Sequence, residues 1–448
     1  MLQRITTTVG KRFTLVLLAA LLVGGLLAPA AQGAGSSTVD RLAGADRFGT
    51  AVAVSQDAFP SGAATVFVAY GFSFPDALAG GVAAAMAPGP ILLVRTDSIP
   101  TVTATELTRL APDEIVILGG TGVVSAAVET ALGSYATTVR RLWGADRFAT
   151  AAAIASDTFP SGSDTVVLTN GFNYPDAVAA VPAAAKMTAP LLLTLTESLP
   201  STTATAITAL GASRVVILGG TAAVSTAVET AVSNLPGVTS VDRWGGATRF
   251  DTAAIISQEK WPCGSTTVYV TYGFNYPDAL AGGPAAYLDN APMLLMNSDI
   301  VPTATYNEIR RLRATKVVIL GGTGVISDAA ETALETLLGL STYNDAPTVK
   351  ITAPPNLSTY VTTWNGTAWG AVVDFTSTTS DANCDTTTVV WTSSVQGALG
   401  TTEAISPELL IPWGQDSSQP TITVTVTDSY GATGSDSIQV KLFVPSPD

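Results

Sequence analysis

Histidine is absent from this 448-residue chain. That excludes catalytic triads built on imidazole and metal sites that need a histidine ligand. Cysteine is nearly absent: Cys263 and Cys384 make neither a four-cysteine zinc site nor a disulfide framework. Charge is sparse, at 12% of residues, and acidic in balance, with a formal net charge of -14 and no run of lysine or arginine. Such a chain is a poor general binder of nucleic acid. Past the N-terminus, the 18 uncharged residues 77–94 imitate a membrane span, but Gly80-Gly81 and Pro88-Gly89-Pro90 interrupt them. They read as a buried helix followed by a buried strand, so no membrane span is expected in the mature chain.

What is present is apolar. Hydrophobic residues make up 47% of the chain and the mean hydropathy is +0.38, which excludes intrinsic disorder. The length suits two to four domains. Arg4, Lys11 and Arg12 precede an uncharged apolar run over 13–27 and then Ala28-Pro29-Ala30. This is the layout of a secretory signal peptide over residues 1–30, and it places the mature chain outside the cytoplasm. The C-terminal residues carry no Leu-Pro-x-Thr-Gly sorting signal, so retention at a surface is expected to be noncovalent.

Comparing the chain with itself is the most informative step. Arg41-Leu42-Ala43-Gly44-Ala45-Asp46-Arg47-Phe48 returns at 141–148 and, with Thr248 in place of the aspartate, at 243–250. Gly71-Phe72-Ser73-Phe74-Pro75-Asp76-Ala77 returns at 171–177 and 273–279. Pro90-Ile91-Leu92-Leu93 returns at 190–193 and 292–295, and Ile117-Leu118-Gly119-Gly120-Thr121 at 217–221 and 319–323. The spacing of about one hundred residues is that of a small domain rather than a solenoid turn. Within the first copy, helices are expected over 48–58, 76–87, 101–110 and 125–134, alternating with strands over 65–70, 91–94, 114–118 and 137–142. Short apolar strands alternating with helices imply a mostly parallel sheet. The fold class is therefore α/β: three repeated small parallel-sheet subdomains, at 39–140, 141–240 and 241–341. The residues alone leave a pseudo-threefold and a quasi-linear arrangement both open. Beyond residue 345 the composition turns to Thr, Ser, Asp and Val in alternating runs, with strands expected at 371–376, 387–392, 421–427 and 437–443. Residues 345–448 read as an all-β, antiparallel sandwich.

The four recurring motifs resemble the cell-wall-binding repeat 2 family. The resemblance covers about residues 39–340. It implies a surface protein of Gram-positive bacteria held noncovalently to the wall, three α/β repeats packed as an intrachain pseudo-trimer, and an anionic secondary wall polymer, a polysaccharide or a teichoic-acid-like chain, as partner. It also ties the Pro-x-Leu-Leu motif to attachment, which nominates Pro90, Leu92, Leu93, Pro190, Leu192, Leu193, Pro292, Leu294 and Leu295. The tail, with Val390-Trp391-Thr392 and Val424-Thr425-Val426-Thr427-Asp428, resembles an immunoglobulin-like or PKD-like module.

Each candidate residue also has a plain structural explanation. Arg47, Arg147 and Arg249 suit bidentate contact with phosphate or carboxylate. An internal salt bridge to the adjacent Asp46 or Asp146, fixing the loop, is the favoured alternative. Asp76, Asp176 and Asp278 invite an acid/base reading, but helix N-capping explains them. The Gly-Gly-Thr turns are expected to hold no nucleotide, and the Pro-x-Leu-Leu runs read most simply as buried strands. Cys263 and Cys384 share an oxidising compartment, and a bond between them would staple the tail to the third repeat; two unpaired thiols are the favoured reading. No cofactor or metal is expected. Triplication without a singular catalytic insertion favours attachment over catalysis. A structural or adhesive surface-layer role is the alternative, and a wall glycan hydrolase using Glu129, Glu229 or Glu331 with the Pro-Asp aspartates is remote.

Overall fold

The structure is a computed structural model that describes residues 37–73, 75–173, 175–275, 277–340 and 343–446. The signal peptide expected at 1–30 lies outside these residues. The first repeat runs β1 (Thr38–Leu42), α1 (Arg47–Ala58), β2 (Thr65–Tyr70), α2 (Pro75–Met86), β3 (Ile91–Val94), α3 (Thr101–Leu110), β4 (Glu114–Leu118) and α4 (Ala126–Leu132). The second follows as β5 (Thr138–Leu142), α5 (Arg147–Thr158), β6 (Thr165–Asn170), α6 (Pro175–Lys186), β7 (Leu191–Thr194), α7 (Ser201–Ala209), β8 (Arg214–Leu218) and α8 (Thr226–Ser233). The third is β9 (Ser240–Trp244), α9 (Arg249–Lys260), β10 (Thr267–Tyr272), α10 (Pro277–Leu288), β11 (Met293–Met296), α11 (Thr303–Leu312), β12 (Lys316–Leu320) and α12 (Asp328–Leu338).

Strands such as Ile91–Val94 are buried at every position, so they read as unbroken apolar runs rather than alternating ones. Their sheets are wholly parallel, in the orders β3-β2-β4-β5, β7-β6-β8-β9 and β11-β10-β12-β1. The last strand of each sheet comes from the following repeat. β5 completes the first sheet, β9 the second, and β1, from the far end of the segment, completes the third. A boundary between residues 140 and 141 therefore cuts through β5, and the covalent repeat is not the structural unit. Arg41 reinforces the closure: its Nη1 donates to Gly321 O at 2.8 Å and its Nη2 pairs with Glu331 at 2.7 Å.

The repeats close into a pseudo-threefold ring, which decides against a quasi-linear array. The small-residue helices α2, α6 and α10 pack pairwise at the centre, and α2, α6 and α10 also pack on α5, α9 and α1 of the next repeat. Close approach needs glycine here: a Cβ on Gly81 or Gly283 would stand 2.9 or 2.5 Å from Val181. Helix propensity alone disfavours the glycines of α2 and α10, and the tight seam explains their presence.

The C-terminal region is β-rich, built around Trp391, Phe375, Val424, Val426 and Leu442. The long strands Thr387–Ser393, Thr421–Asp428 and Thr433–Phe443 pair antiparallel in that order. The expected strand over 371–376 is instead two, Trp369–Val372 and Phe375–Ser380, which join different sheets. One pairing is parallel, Ser358–Val361 with Thr433–Phe443, so the region is not purely antiparallel.

The expectation of two unpaired thiols is overturned. Cys263 and Cys384 are disulfide-bonded, with Cα atoms 5.0 Å apart. Arg313 brings the two segments together: Nη1 pairs with Asp385 at 2.9 Å and Nη2 donates to Asn383 O at 2.9 Å. Those contacts join regions far apart in sequence, so no local pattern announces the bond.

Candidate functional site

In each repeat the strand order reverses between β2 and β4, or their counterparts, and the loops at their C-terminal ends open a crevice. Open parallel sheets present ligand sites at such switch points. One wall carries Asn173, Pro175 and Asp176 after β6, or Asn275, Pro277 and Asp278 after β10. The other is the Gly-Gly turn after β4, β8 or β12. The next repeat seals the crevice with the N-terminus of α1, α5 or α9.

Arg47, Arg147 and Arg249 stand at those helix starts. Each Nη1 donates to the carbonyl that opens its own repeat's Gly-Phe loop: Gly71 O at 2.7 Å, Gly171 O at 2.7 Å and Gly273 O at 2.5 Å. Each guanidinium lies over the following phenylalanine, 4.5 Å from the centre of Phe72, 3.9 Å from Phe172 and 4.3 Å from Phe274. These phenylalanines are 43%, 60% and 51% exposed. The expected salt bridge to the neighbouring aspartate does not form. Asp46 instead caps α1, accepting from the amides of Phe48 and Gly49, and Asp146 caps α5 through Ala149. Thr248 serves the same end, with Asp251 completing a reciprocal capping box. Among the described residues, no carboxylate lies within ion-pair distance of these three arginines.

The Pro-Asp aspartates are not N-caps. The helices already begin at Pro75, Pro175 and Pro277, and the carboxyls point into the seams between repeats. Burial pushes the Asp76 carboxyl above its ordinary value, against the opposing pull of Arg147 and the Thr150 hydroxyl. Burial pushes Asp176 up to about 6, with Arg249 opposing. Asp278 is raised by burial too, while Thr50 and Arg47 oppose and Asp46 assists. Repeat one thus meets two, two meets three, and three meets one. Gly119, Gly219 and Gly321 have φ of +103°, +91° and +109°, and a Cβ there would lie within 2.8 Å of the Asp76, Asp176 and Asp278 carboxylates. That geometry is why the turn carries glycine.

Open clefts lie at two of the seams. One of about 420 Å³ is lined by Asp46, Arg47, Thr50, Asn275, Asp278 and Thr323, among others. Another, of about 460 Å³, is lined by Asn173, Asp176, Gly220, Thr248, Arg249 and Phe274, among others. A cleft of about 440 Å³ between α8 and β9 offers Glu229 as its one charged residue, and Arg243 already holds that carboxylate at 2.6 Å. Glu129 is likewise paired with Arg141 at 2.8 Å, and Glu331 with Arg41. These glutamates brace strand against helix.

The Pro-x-Leu-Leu residues are not at the surface. Leu92, Leu93, Leu192, Leu193, Leu294 and Leu295 are at most 1% exposed, and Pro90, Pro190 and Pro292 are buried. The proline carbonyls accept from Phe67, Val167 and Tyr269. Direct ligand contact by these nine residues is therefore corrected to a core role. Phe72, Phe172 and Phe274 are what the sequence reading missed. The available signal was a phenylalanine after glycine in all three copies, at a strand end where a buried ring is not required.

In the C-terminal region, Asp381, Asp385 and Asp428 bring oxygens within 4.8 Å of one another, the one such acidic group among the described residues. Arg313 already lies on Asp385, Asn344 donates to Asp428 at 2.7 Å, and backbone amides hold one oxygen each of Asp381 and Asp428.

The family described as Cell wall binding domain 2 (CWB2) matches residues 41–129, 141–229 and 243–331, more than half of the chain. Each matched segment opens on the strand arginine and closes on the helix glutamate, and the ion pairs join the arginine of one segment to the glutamate of another. The chain is 32% identical over 291 residues to the N-acetylmuramoyl-L-alanine amidase LytC of Bacillus subtilis (strain 168), covering 65% of this chain and 57% of the relative. It is 31% identical over 300 residues to the amidase enhancer of the same organism, covering 66% and 40%. Among solved structures, Cwp6 from Clostridium difficile superposes with a TM-score of 0.64 at 25% identity, over 73% of this chain and 51% of that one. Cwp8 from Clostridium difficile gives 0.61 at 28% identity, over 68% and 52%. The chain spans about half the length of these relatives.

Proposed function

We propose, for a chain that belongs to the Cell wall binding domain 2 (CWB2) family, that the three-repeat ring holds a secreted protein noncovalently on the bacterial wall by gripping a secondary wall polymer at its seams. The observation that carries this reading is the threefold Arg-on-Phe arrangement, with Arg47 and Arg249 lining open clefts at their seams. Each guanidinium is half-buried, keeps one hydrogen bond to a carbonyl and makes no ion pair among the described residues, so most of its donors are uncommitted. Arg is suited to planar oxyanions, and the exposed ring beside it suits the apolar face of a sugar. An anionic polysaccharide or teichoic-acid-like chain satisfies both. Three modest sites on one rigid body raise retention through effective concentration.

The reading includes residues 1–30 as a removed leader and the β-rich region as an immunoglobulin-like module that spaces or displays. It assigns attachment rather than catalysis. The match to a protein named as an amidase runs through the repeats, and Glu129, Glu229 and Glu331 are engaged in ion pairs. Sedimentation with purified walls tests it, before and after the non-peptidoglycan polymers are stripped. Retention that collapses on stripping supports polymer binding, and equal retention on stripped walls contradicts it. Dye release from labelled walls by the same protein would favour a hydrolase, and lattice formation without wall retention a surface-layer component.

A further inference from the structure

The three seam sites share one plan but not one charge. Next to the Pro-x-Leu-Leu strand the first repeat carries Arg95, where the second and third carry Leu195 and Asn297. Arg95 is exposed and its side chain turns back over Phe48 and Phe72, the second of which Arg47 also covers. Its Cζ is 5.1 Å from the centre of Phe48 and 5.5 Å from Phe72, while Arg47 is 4.5 Å from Phe72. Phe48 and Phe72 stand edge to face, 5.8 Å apart. Among the described residues no carboxylate lies within 4.0 Å of either guanidinium, and Arg47 spends one donor on Gly71 O. The acids facing this pair from the neighbouring elements are Asp46, engaged in capping α1, and Asp278, across the seam on α10. Two like charges converging on one ring repel each other unless an anion lies between them. In a chain with 21 basic and 35 acidic residues, such a pair is the local concentration of positive charge that an acidic protein needs to hold an anionic polymer.

We propose that Arg47 and Arg95 form a two-guanidinium clamp for a single oxyanion, phosphodiester or carboxylate, of the wall polymer, so that the first repeat holds the strongest of three unequal sites. The proposal rests on the wall-binding reading for the identity of the polymer, but the clamp is tested without walls. The mature full-length chain is titrated by calorimetry with poly(glycerol phosphate) in one arm and polygalacturonate in the other, at low and high salt. One polymer binds more tightly in a salt-sensitive manner and names the source of the anion. Arg95→Leu weakens that binding about tenfold, the scale of a lost charge-assisted hydrogen bond. Leu195→Arg, which copies the clamp into the second repeat, adds a second tight site. Arg95 is exposed and its side chain makes no hydrogen bond or ion pair among the described residues, and unchanged circular dichroism and melting verify that the variant is folded. Three equal sites indifferent to Arg95→Leu, or no binding of either polyanion, overturn the clamp. Wall sedimentation separates the two readings. Retention on walls without dependence on Arg95 sinks the clamp alone, and Arg95-dependent polyanion binding without retention on walls sinks the wall-binding reading alone.

Discussion

The repeat ring and the β-rich C-terminal region bury their cores in opposite ways. The central helices of the ring, α2, α6 and α10, are rich in small residues. Alanine, glycine and valine on α2, α6 and α10 let three helices touch, and stability comes from closure, with β1 pairing to β12 and Arg41 reaching Glu331. The C-terminal region is held by a few large side chains, Trp391 and Phe375 foremost, between long strands close in sequence. Closure brings loops of successive repeats together three times, and clefts result. The second region creates no such repeated seam. A fold that joins its ends acquires sites at its joints.

The largest expected effect isolates the C-terminal core. Trp391→Ala removes a wholly buried indole whose Nε1 donates to Thr402 O, and should destabilise that region by about 3–5 kcal/mol. Calorimetry should show the loss, while wall sedimentation by the ring persists; joint loss of both would erase the distinction between the regions. Next comes the staple. Serine at both Cys263 and Cys384 should lower stability by roughly 2–4 kcal/mol, since the bond spans 121 residues of sequence. It should also allow proteolysis between the third repeat and the C-terminal region, and unchanged protease resistance would mean that Arg313 suffices to hold the two together.

Arg41→Ala tests closure. It removes a charge-assisted pair and a carbonyl contact at the joint between the ends of the ring, for an expected loss of about 1–3 kcal/mol. Increased hydrogen exchange in β1 and β12, with the C-terminal strands unaffected, is the accompanying signature.

The last effect is a difference of sign with acid. The folded Asp176 carboxyl titrates at about 6 rather than at its ordinary value, because burial disfavours its charge. Between those values the folded ring holds a proton that the unfolded chain releases. Ring stability therefore rises as pH falls through this window and is lost as pH climbs back through it, by at most about 1.4 kcal/mol per pH unit, the loss being complete above about 6. Asp76 and Asp278 are raised in the same direction by burial. Asp428 behaves oppositely. Burial would raise it, but Asn344 and the amides of Ala432, Tyr430 and Gly431 together hold it below 3.8. Its contribution is present above the ordinary aspartate value and disappears as pH falls through the lowered one. Thermal melts from pH 7 to pH 3 should stabilise the ring first and weaken the C-terminal region last, and Asp176→Asn should flatten the first response.

Local pattern reached far into the ring because its strands are short, wholly apolar and separated by capped helices. The expected strands at 65–70, 91–94 and 114–118 coincide with Thr65–Tyr70, Ile91–Val94 and Glu114–Leu118, and Ser125 caps α4 as its position suggested. The site was only half legible. Recurrence singled out Arg47, Arg147 and Arg249, but their partners are a carbonyl and a ring roughly 25 residues away rather than the acid next door. Asp76 resembled a cap because Pro-Asp-Ala opens many helices, and only the neighbouring repeat reveals that its carboxyl is buried in a seam.

The chain's own residues determined the triplication, the alternating α/β elements and the recurring arginines, since those depend on apolar periodicity and motif spacing within some hundred residues. Tertiary structure alone decided the exchange of edge strands, the closed ring, the Cys263–Cys384 bond and the clustering of Arg47 with Arg95. Each of those joins positions that share no local pattern, and contact between them follows from how surfaces pack.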